Sequence, residues 1–493
     1  MNPLKRLASQ TAIYGVSSIV GRFLNYLLVP LFTYYFSPAE YGVVSEFYAY
    51  MGFLAVLLLS GFETGYFRFR QASGDKAALV YATALRFVGL ANAGFFLSVL
   101  IFSDGIAQLL DYSDHPEYVR WTAGIVAMDS VGAVAFARLR AENKAARFAA
   151  IKVTEIALNV LLNLFFIVYC RQAHLEAPDS LAGSLWNPQI GVGYIFLANL
   201  AASGLKLVLL TPQLRGVLAG FDRKLLERML RYSLPMVVIG FAGIVNEMLD
   251  RAALKYLLPY DLHTNLELLG IYSACYKLSI VMSLFIQAFR YAAEPFFFAY
   301  AGNRDAGKTY AEVLNYFVIF CVFIFLAVTV YLDIFKYFIG EPFRVGLQVV
   351  PILLIANIFL GIYVNLSIWY KLSDRTAMGA LVALSGAGIT VSLLFWWVPL
   401  MGYVGAAWAT LVCYASMALI SYALGRRYYP VPYDMKRVTG YLLFGLGLYA
   451  AHRGVVAQTE VNTLLSGTLC LALYVAVALW ADGRRLVGRW AAA

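Results

Sequence analysis

The sequence predicts an all-α integral membrane protein of about fourteen transmembrane helices, and three observations predict this fold class. Of the 493 residues, 61% are hydrophobic and only 13% are charged, and the mean hydropathy of +0.71 is far above that of soluble globular proteins. Apolar stretches of about 20 residues, the length that crosses a bilayer core, recur from one end of the chain to the other. Lysine and arginine concentrate in alternate connections between these stretches, as in multi-pass membrane proteins.

Counting the apolar runs gives fourteen predicted helices. The first six lie near 8–36, 41–67, 79–103, 119–138, 147–170 and 187–211. The next six lie near 232–257, 267–292, 311–333, 347–371, 376–398 and 402–425, and a final pair lies near 438–452 and 462–481. The predicted organisation is a first lobe at 1–211, a cytoplasmic amphipathic connection at 212–231, a second lobe at 232–425, and helices 13 and 14 with a cytoplasmic tail at 426–493.

Charge orients these helices, because basic residues favour cytoplasmic connections. The bases on one side include Lys5, Arg68, Arg70, Arg138, Arg140, Lys144, Arg147, Arg215, Arg223, Arg231, Lys308, Lys371, Arg426, Arg437 and Arg484. The opposite connections carry mainly acids, including Glu40, Asp104, Asp114, Glu117, Glu176, Asp179, Asp261, Glu267, Asp333 and Glu341. Both termini are therefore predicted to be cytoplasmic.

A weak internal repeat relates the two sets of six helices. Tyr41–Ser45 opens the second predicted helix and Leu269–Ser273 opens the eighth, and the two helices end with Glu63 and Glu294. Because matching segments enter the membrane from the same side, we predict parallel repeats related by an axis along the membrane normal. The alternative, that glycine merely marks helix starts, stays open.

Several ionisable residues sit well inside the predicted helices. They are Arg22, Asp129, Glu247, Asp250, Arg251 and Lys277. At roughly 2.5 to 3.5 kcal/mol per charge, exposing them to lipid would cost on the order of 10 kcal/mol, comparable with the whole stability of a protein. We therefore expect them to line a hydrated cavity between the helices.

Two sets of residues follow from this expectation. The predicted substrate-binding residues are Arg22, Asn25, Lys277, Arg251 and Gln287. The predicted ion-coupling or gating residues are Asp129, Glu247, Asp250, Glu63 and Glu294. Basic side chains can donate to an anionic group, and a carboxylate that takes up a proton changes the surrounding field.

A structural interpretation competes with these roles. Asp250, Arg251, Lys152 and Glu155 can each take part in ion pairs between helices that have no part in transport, and the same alternative applies to Arg22, Asp129 and Lys277. Arg86 and Lys206 lie nearer the cytoplasmic ends of their helices, so their side chains are expected to extend to the interface.

Several chemistries lack their motifs. The sequence contains neither a GxxxxGK[ST] nucleotide loop nor an HExxH zinc helix, so neither an ATP-driven pump nor a zinc protease is predicted. The five cysteines stand singly in apolar segments and are predicted to be free thiols. The connections near 104–118, 171–186 and 212–231 are too short for a glycosyltransferase domain.

The order of several short segments carries a family resemblance. The opening Thr11–Gly15, Arg22–Leu31 and Ser37–Gly42, then Phe136–Arg140, Arg147–Phe148, Ile151–Lys152, Asp250–Arg251, Gly270–Ser273, Glu294–Phe296, Ile368–Lys371 and Gly402–Ala407 form the series. Together they resemble the polysaccharide transporter family of Wzx-type flippases, in the multidrug/oligosaccharidyl-lipid/polysaccharide (MOP) exporter superfamily.

The resemblance implies two six-helix lobes, as in the MATE transporters, that face a cavity open alternately to each side of a bacterial cytoplasmic membrane. It implies translocation of undecaprenyl-pyrophosphate-linked oligosaccharide for O-antigen of lipopolysaccharide, capsule or exopolysaccharide, with Arg22 and Lys277 suited to the pyrophosphate. No cofactor is expected, and coupling to H⁺ or to Na⁺ stays open. The 212–231 connection is the expected hinge between the lobes. The expected partners are the bilayer and other polysaccharide-assembly proteins, and no nucleic acid is expected.

Three alternatives remain open. A lipid II flippase would share the fourteen helices and the cationic cavity. A MATE-like exporter of small molecules would have a more apolar or acidic cavity. A membrane glycan polymerase or ligase, which is an enzyme rather than a transporter, would change its substrate covalently.

Overall fold

The chain is helical throughout the computed structural model, which describes residues 21, 23–73, 76–458 and 462–483, and these ranges contain no β-strand. The predicted all-α fold class is therefore confirmed. The main helices are α1 Leu28–Tyr35, α2 Pro38–Leu59, α3 Phe62–Ser73, α4 Ala77–Leu109, α5 Pro116–Ala141, α6 Ala145–Asn163, α7 Gly193–Leu209, α8 Arg223–Leu257, α9 Leu262–Leu278, α10 Ile280–Tyr300, α11 Ala306–Val330, α12 Val349–Leu366, α13 Thr376–Met401, α14 Tyr403–Tyr428, α15 Met435–Gln458 and α16 Thr463–Ala478.

Twelve of the predicted membrane spans agree with the structure when each bent pair counts as one span. Ten helices in the described ranges are long and apolar enough to cross a bilayer, and the number reaches twelve when two bent pairs each count as one span. Of the other two predicted spans, 8–36 lies largely outside the described residues, and 438–452 lies within α15, which is helical but is not among the twelve. The chain is a multi-pass membrane protein.

The outer surface of the helices is strongly apolar. Leu90 and Ile101 on α4 are 74% and 75% exposed, and Trp396 on α13 is 65% exposed. A soluble protein rarely presents so many large apolar side chains to water. This surface is therefore suited to contact with lipid chains.

The start of α2 shows how the sequence sets helix ends. Ser37 and Glu40 form a capping box, in which the Ser37 side chain accepts from the Glu40 backbone N–H and the Glu40 carboxylate accepts from the Ser37 N–H, with Pro38 in the first turn. The boundary with α3 is a left-handed step at Ser60 (φ 50°) and Gly61 (φ 67°). These two residues divide one long span into two helical segments.

The described helices form two compact units. The first ends at Lys255 and also takes in Leu262–Gly270. Its core includes Phe62 and Tyr66 on α3, Val80 on α4, and Leu225 and Met229 on α8. The amphipathic first turns of α8 thus pack within the first unit.

The start of α8 differs from the sequence prediction. The helix begins at Arg223, not near 232, with the Asp222 carboxylate accepting from the Leu225 backbone N–H at 3.1 Å as an N-cap. The charges of residues 223–231 lower the local hydropathy, so a search for apolar runs misses nine residues that are helical and half apolar. The lobe boundaries predicted from the sequence remain a prediction.

The connection before α8 is held to the first unit. The Tyr81 hydroxyl donates to the Gln213 carbonyl at 3.1 Å, and Arg86 Nε donates to the Val217 carbonyl at 3.1 Å. Arg86 therefore binds backbone rather than simply extending to the interface. The hinge role of this segment stays a prediction.

The second unit comprises Tyr256–Asp261 and the chain from Ile271 onward. In its core, Ala356 of α12 and Val382 of α13 pack with Cys413, Tyr414 and other residues of α14. The last two helices pack on α11, where the Tyr474 hydroxyl donates to the Ile319 carbonyl at 2.9 Å. The five cysteines are free, as predicted, and four of them are buried.

Candidate functional site

The structure describes only one of the two predicted substrate-binding residues nearest the N-terminus. Arg22 lies outside the described residues, and Asn25 is exposed. Their assignment to a substrate site stays a prediction.

Asp129 belongs to a charge cluster that joins three helices of the first unit. We call Asp129 on α5, Lys152 and Glu155 on α6, and Ser203 and Lys206 on α7 the Lys206 cluster. Lys206 Nζ lies 2.5 Å from Asp129 Oδ1 and 2.7 Å from Glu155 Oε1. Lys152 Nζ lies 2.9 Å from Glu155 Oε2, and Ser203 Oγ donates to Asp129 Oδ1 at 2.6 Å. Two bases and two acids balance one another.

The cluster corrects the expectation that Lys206 extends to the interface. Its side chain is only 4% exposed, whereas Asp129 is 43% exposed. The stem of Lys206 crosses α5 at Gly132, where an added Cβ would lie 3.2 Å from Lys206 Cε. The lysine turns inward because two carboxylates and a glycine groove receive it, which repays the cost of burying an ammonium group.

A second buried pair was not predicted from the sequence. Lys255 on α8 lies 3.0 Å from the Glu46 carboxylate on α2, and both side chains are fully buried. Lys255 Nζ also donates to the Leu110 carbonyl at 2.5 Å and stands 4.4 Å from the centre of the Tyr112 ring. The hydroxyls of Tyr112, at 2.5 Å, and of Tyr50 donate to Glu46.

The predicted acids of α8 have different surroundings. Asp250 and Arg251 are buried and pair with each other at 2.6 Å along one helix, and the interhelical ion pairs of the structural interpretation stay a prediction for these two residues. Glu247 is exposed, and its backbone carbonyl accepts from Arg251. The roles of these residues in substrate binding and coupling stay predictions.

Glu63 and Glu294 form equivalent ion pairs, one in each unit. Glu63 pairs with Arg140 and Glu294 with Lys371, and in each case the partners are 77 residues apart. Equal spacing at the ends of matching helices supports the predicted internal repeat. These ion pairs also allow both acids to hold helices together, in addition to their predicted role in gating.

The matching glycines at the opposite ends of these helices make reciprocal contacts within the first unit. A Cβ on Gly42 would lie 2.0 Å from the Leu266 carbonyl oxygen, and a Cβ on Gly270 would lie 1.8 Å from the Pro38 carbonyl oxygen. Only glycine allows α2 and α9 to cross this closely. The repeat thus places a small residue at the same point of both helices.

Lys277 lies beside a break in a membrane helix. α9 ends at Leu278, α10 begins at Ile280, and the two segments are bent by 48°. The Ser279 side chain accepts from the Asn357 amide at 3.4 Å and itself donates to the Tyr276 carbonyl at 2.7 Å. Lys277 and Gln287 are both half-buried. Broken helices recur at the binding sites of membrane transporters, because the helix ends offer unpaired backbone dipoles.

Comparison with known proteins identifies the fold. The lipid II flippase MurJ, in an inward closed conformation, matches with a TM-score of 0.67 over 97% of this chain and 100% of its own, at 14% identity. An inward-facing multidrug resistance MATE family transporter of the MOP superfamily matches with a TM-score of 0.61 over 83% of this chain and 94% of its own, at 15% identity. The MATE multidrug transporter DinF-BH, in complex with R6G, matches with a TM-score of 0.59 over 87% of this chain and 97% of its own, at 16% identity.

Sequence comparisons add no relatives. No protein-family model matches the chain, and no curated protein matches it significantly. The structural matches show the fold of MOP-superfamily transporters, and at these identities they show the fold alone.

Proposed function

We propose that the protein is a flippase that moves undecaprenyl-pyrophosphate-linked oligosaccharide from the inner to the outer leaflet of a bacterial cytoplasmic membrane by alternating access through a cationic cavity. The observation that carries the proposal is Lys277 beside the α9–α10 break. A lysine and the N-terminal amides of α10 together suit a diphosphate, which cannot cross hydrocarbon without such partners.

The extent of the structural match favours a lipid-linked substrate. The match with the lipid II flippase spans 97% of this chain, whereas the two MATE transporters span 83% and 87%. The segments resembling Wzx-type flippases favour an oligosaccharide unit for O-antigen, capsule or exopolysaccharide over lipid II. The amphiphile exporter is the second candidate, since MATE transporters share the fold.

The Lys206 cluster is our proposed site of ion coupling. A proton taken up by the exposed Asp129 would remove one of the two carboxylates that hold Lys206 and leave the buried Glu155 as its partner. Such a change would leave two lysines facing one ionised carboxylate and would alter the field among α5, α6 and α7. A proton is our proposed coupling ion at this site.

Reconstitution tests the proposal. The full chain is placed in vesicles with fluorescent undecaprenyl-pyrophosphate-linked oligosaccharide, and the fraction that becomes accessible from the opposite leaflet is measured with and without a pH gradient. We expect Lys277→Ala to lower the initial rate about tenfold, the loss of about one charge-assisted hydrogen bond. Lys308→Ala is the matched control, because Lys308 is 75% exposed in a surface pair with Asp305.

Four outcomes separate the alternatives. Preferred flipping of lipid II would favour a peptidoglycan role, and transport of a cationic dye with no movement of lipid-linked sugar would favour a MATE-like exporter. A covalent change in the sugar chain, seen by mass spectrometry, would indicate a polymerase or ligase. Unchanged flipping by Lys277→Ala would contradict the assigned site.

A further inference from the structure

A small basic pocket lies apart from the residues discussed for transport, at the end of the spans Pro38–Gln71 and Pro116–Ala141. Its cavity measures about 160 Å³, far above the about 10–15 Å³ that one water molecule needs. The lining residues come from α3, α4, α5 and the connection before α8; those used below are Tyr66, Arg70, Tyr81, Arg138, Glu142 and Gly216.

The described residues that line the pocket carry a net positive charge. Arg138 and Glu142 neutralise each other through a 2.7 Å hydrogen bond from Arg138 Nε. Arg70 lines the pocket beside Tyr66 and takes part in no ion pair among the described residues. One guanidinium charge therefore remains in the pocket, together with the polarised donors of Arg138.

The wall of the pocket is built around Arg138 and Gly216. The Arg138 guanidinium lies 4.6 Å from the centre of the Tyr81 ring, and its Nη1 donates to the Gln213 carbonyl at 3.2 Å. A Cβ on Gly216 would lie 2.1 Å from Arg138 Nη1 and 2.6 Å from Tyr81 Cε1. Only glycine at this position leaves the arginine in place and the cavity open.

Burial alone would raise the pKa of Glu142, but hydrogen bonds from Lys144 and Arg138 outweigh it and hold the pKa below the ordinary value of 4.5. The carboxylate stays ionised and keeps the Arg138 side chain fixed at the wall. The pocket is thus a preformed arrangement rather than a set of loose surface chains.

We propose that this pocket binds a phosphate group at the membrane boundary. Guanidinium groups match the geometry of phosphate oxygens, and basic pockets between membrane helices bind the headgroups of anionic lipids. A headgroup lies at the depth where both helices leave the hydrocarbon, and free phosphate offers the same chemistry. Bound phosphate would fasten the connection before α8 to α3 and α5.

Native mass spectrometry of the full chain, released from detergent, tests the site. Phosphatidylglycerol, phosphatidylcholine and inorganic phosphate are titrated separately, and adducts are counted. We expect phosphatidylglycerol to bind, and Arg70→Ala and Gly216→Ala each to weaken binding about tenfold. Arg68→Ala is the charge control, because Arg68 stacks on Tyr232 instead, 4.6 Å from its ring centre. Gly204→Ala is the glycine control, because a Cβ there meets nothing within 4 Å.

The outcomes distinguish the sources of phosphate. Selective binding of phosphatidylglycerol supports a lipid headgroup, and binding of inorganic phosphate that both pocket variants weaken supports free phosphate at the same site. Equal adduct formation by wild type, Arg70→Ala and Gly216→Ala would overturn the proposal, as would equal binding of phosphatidylglycerol and phosphatidylcholine without binding of inorganic phosphate.

Discussion

Replacing Lys255 with methionine should strongly destabilise the first unit. The lysine and its partner Glu46 are both fully buried at 3.0 Å, and Lys255 also satisfies the Leu110 carbonyl. Lys255→Met keeps the volume but leaves a buried carboxylate with hydroxyl partners and no countercharge. Removing one member of such a pair costs about 3–5 kcal/mol, which is a large part of a typical folding free energy.

The double variant Glu46→Gln with Lys255→Met distinguishes charge from packing. It removes both charges, so most of the loss should be recovered, and a double-mutant cycle should return a coupling energy of about 2–3 kcal/mol. The assay is denaturant unfolding of the purified chain in mild detergent, followed by tryptophan fluorescence and circular dichroism. Arg223→Met is the control, because Arg223 is 87% exposed in its pair with Glu227 and should cost at most about 1 kcal/mol.

Two results would refute this reasoning. One is a Lys255→Met chain as stable as the wild type, and the other is a double variant whose loss equals the sum of the two single losses. Either would mean that the carboxylate is hydrated or protonated, and that the pair adds nothing to the packing of α2 against α8.

Three further predictions concern the same unit. Gly42→Ala should lower the thermal unfolding temperature by several degrees, because its Cβ would meet a backbone carbonyl of α9 at 2.0 Å, whereas Gly89→Ala, which meets nothing within 4 Å, should leave it unchanged or slightly raised. Lys206→Met should destabilise the chain, because it removes the ammonium group that Asp129 and the buried Glu155 share; an unchanged free energy of unfolding would argue against the pairing. Because folding lowers the pKa of Glu142, its carboxylate stabilises the folded chain at pH values above the ordinary pKa of 4.5, and this stabilisation is lost as the pH falls through the folded pKa. Glu142→Gln should therefore flatten this part of the curve of unfolding free energy against pH. An unchanged slope would contradict the assignment.

Hydropathy was sufficient to predict most of the fold. A helix that crosses a bilayer core needs about 20 consecutive apolar residues. This requirement concerns one short segment at a time, so the spans can be recognised in the sequence without knowing which helices pack beside them. The same logic fails where a helix extends into water. The first turns of α8 are helical because Leu225 and Met229 pack within the first unit, and hydropathy alone does not register that contact.

Interior charge was easier to find than to pair. The sequence shows that Asp129 stands in an apolar segment, but its partner Lys206 is 77 residues away and looked like an interfacial lysine. Glu46 and Lys255 are 209 residues apart, and each lies near a helix end. Charged residues are common at helix ends, so neither position indicates a buried pair. Pairing is a property of tertiary packing, so only coordinates can reveal it.

The predicted internal repeat would be the exception, because a repeat carries tertiary information in the sequence. Glu63 and Glu294 were matched as the acids that end two equivalent helices, and each has a base 77 residues later in its own unit. A duplicated fold repeats its long-range contacts along with its helices. A pair found in one unit therefore predicts a pair in the other, which a single sequence otherwise cannot do.

The described charges of the first unit narrow the search for a cationic substrate site. Lys152 and Lys206 face two acids, Lys255 faces Glu46 and, at 3.9 Å, Asp111, and Arg251 faces Asp250, so no base in these groups lacks an acid beside it. An anionic substrate gains little attraction from a neutral pair and would have to break it to bind. Of the predicted substrate-binding bases, Lys277 lies beside the α9–α10 break, and this position rather than its charge balance is the reason to expect it at a diphosphate. Replacing Arg251 should mainly lower stability, because it leaves the buried Asp250 carboxylate without this guanidinium partner, whereas replacing Lys277 should lower the transport rate.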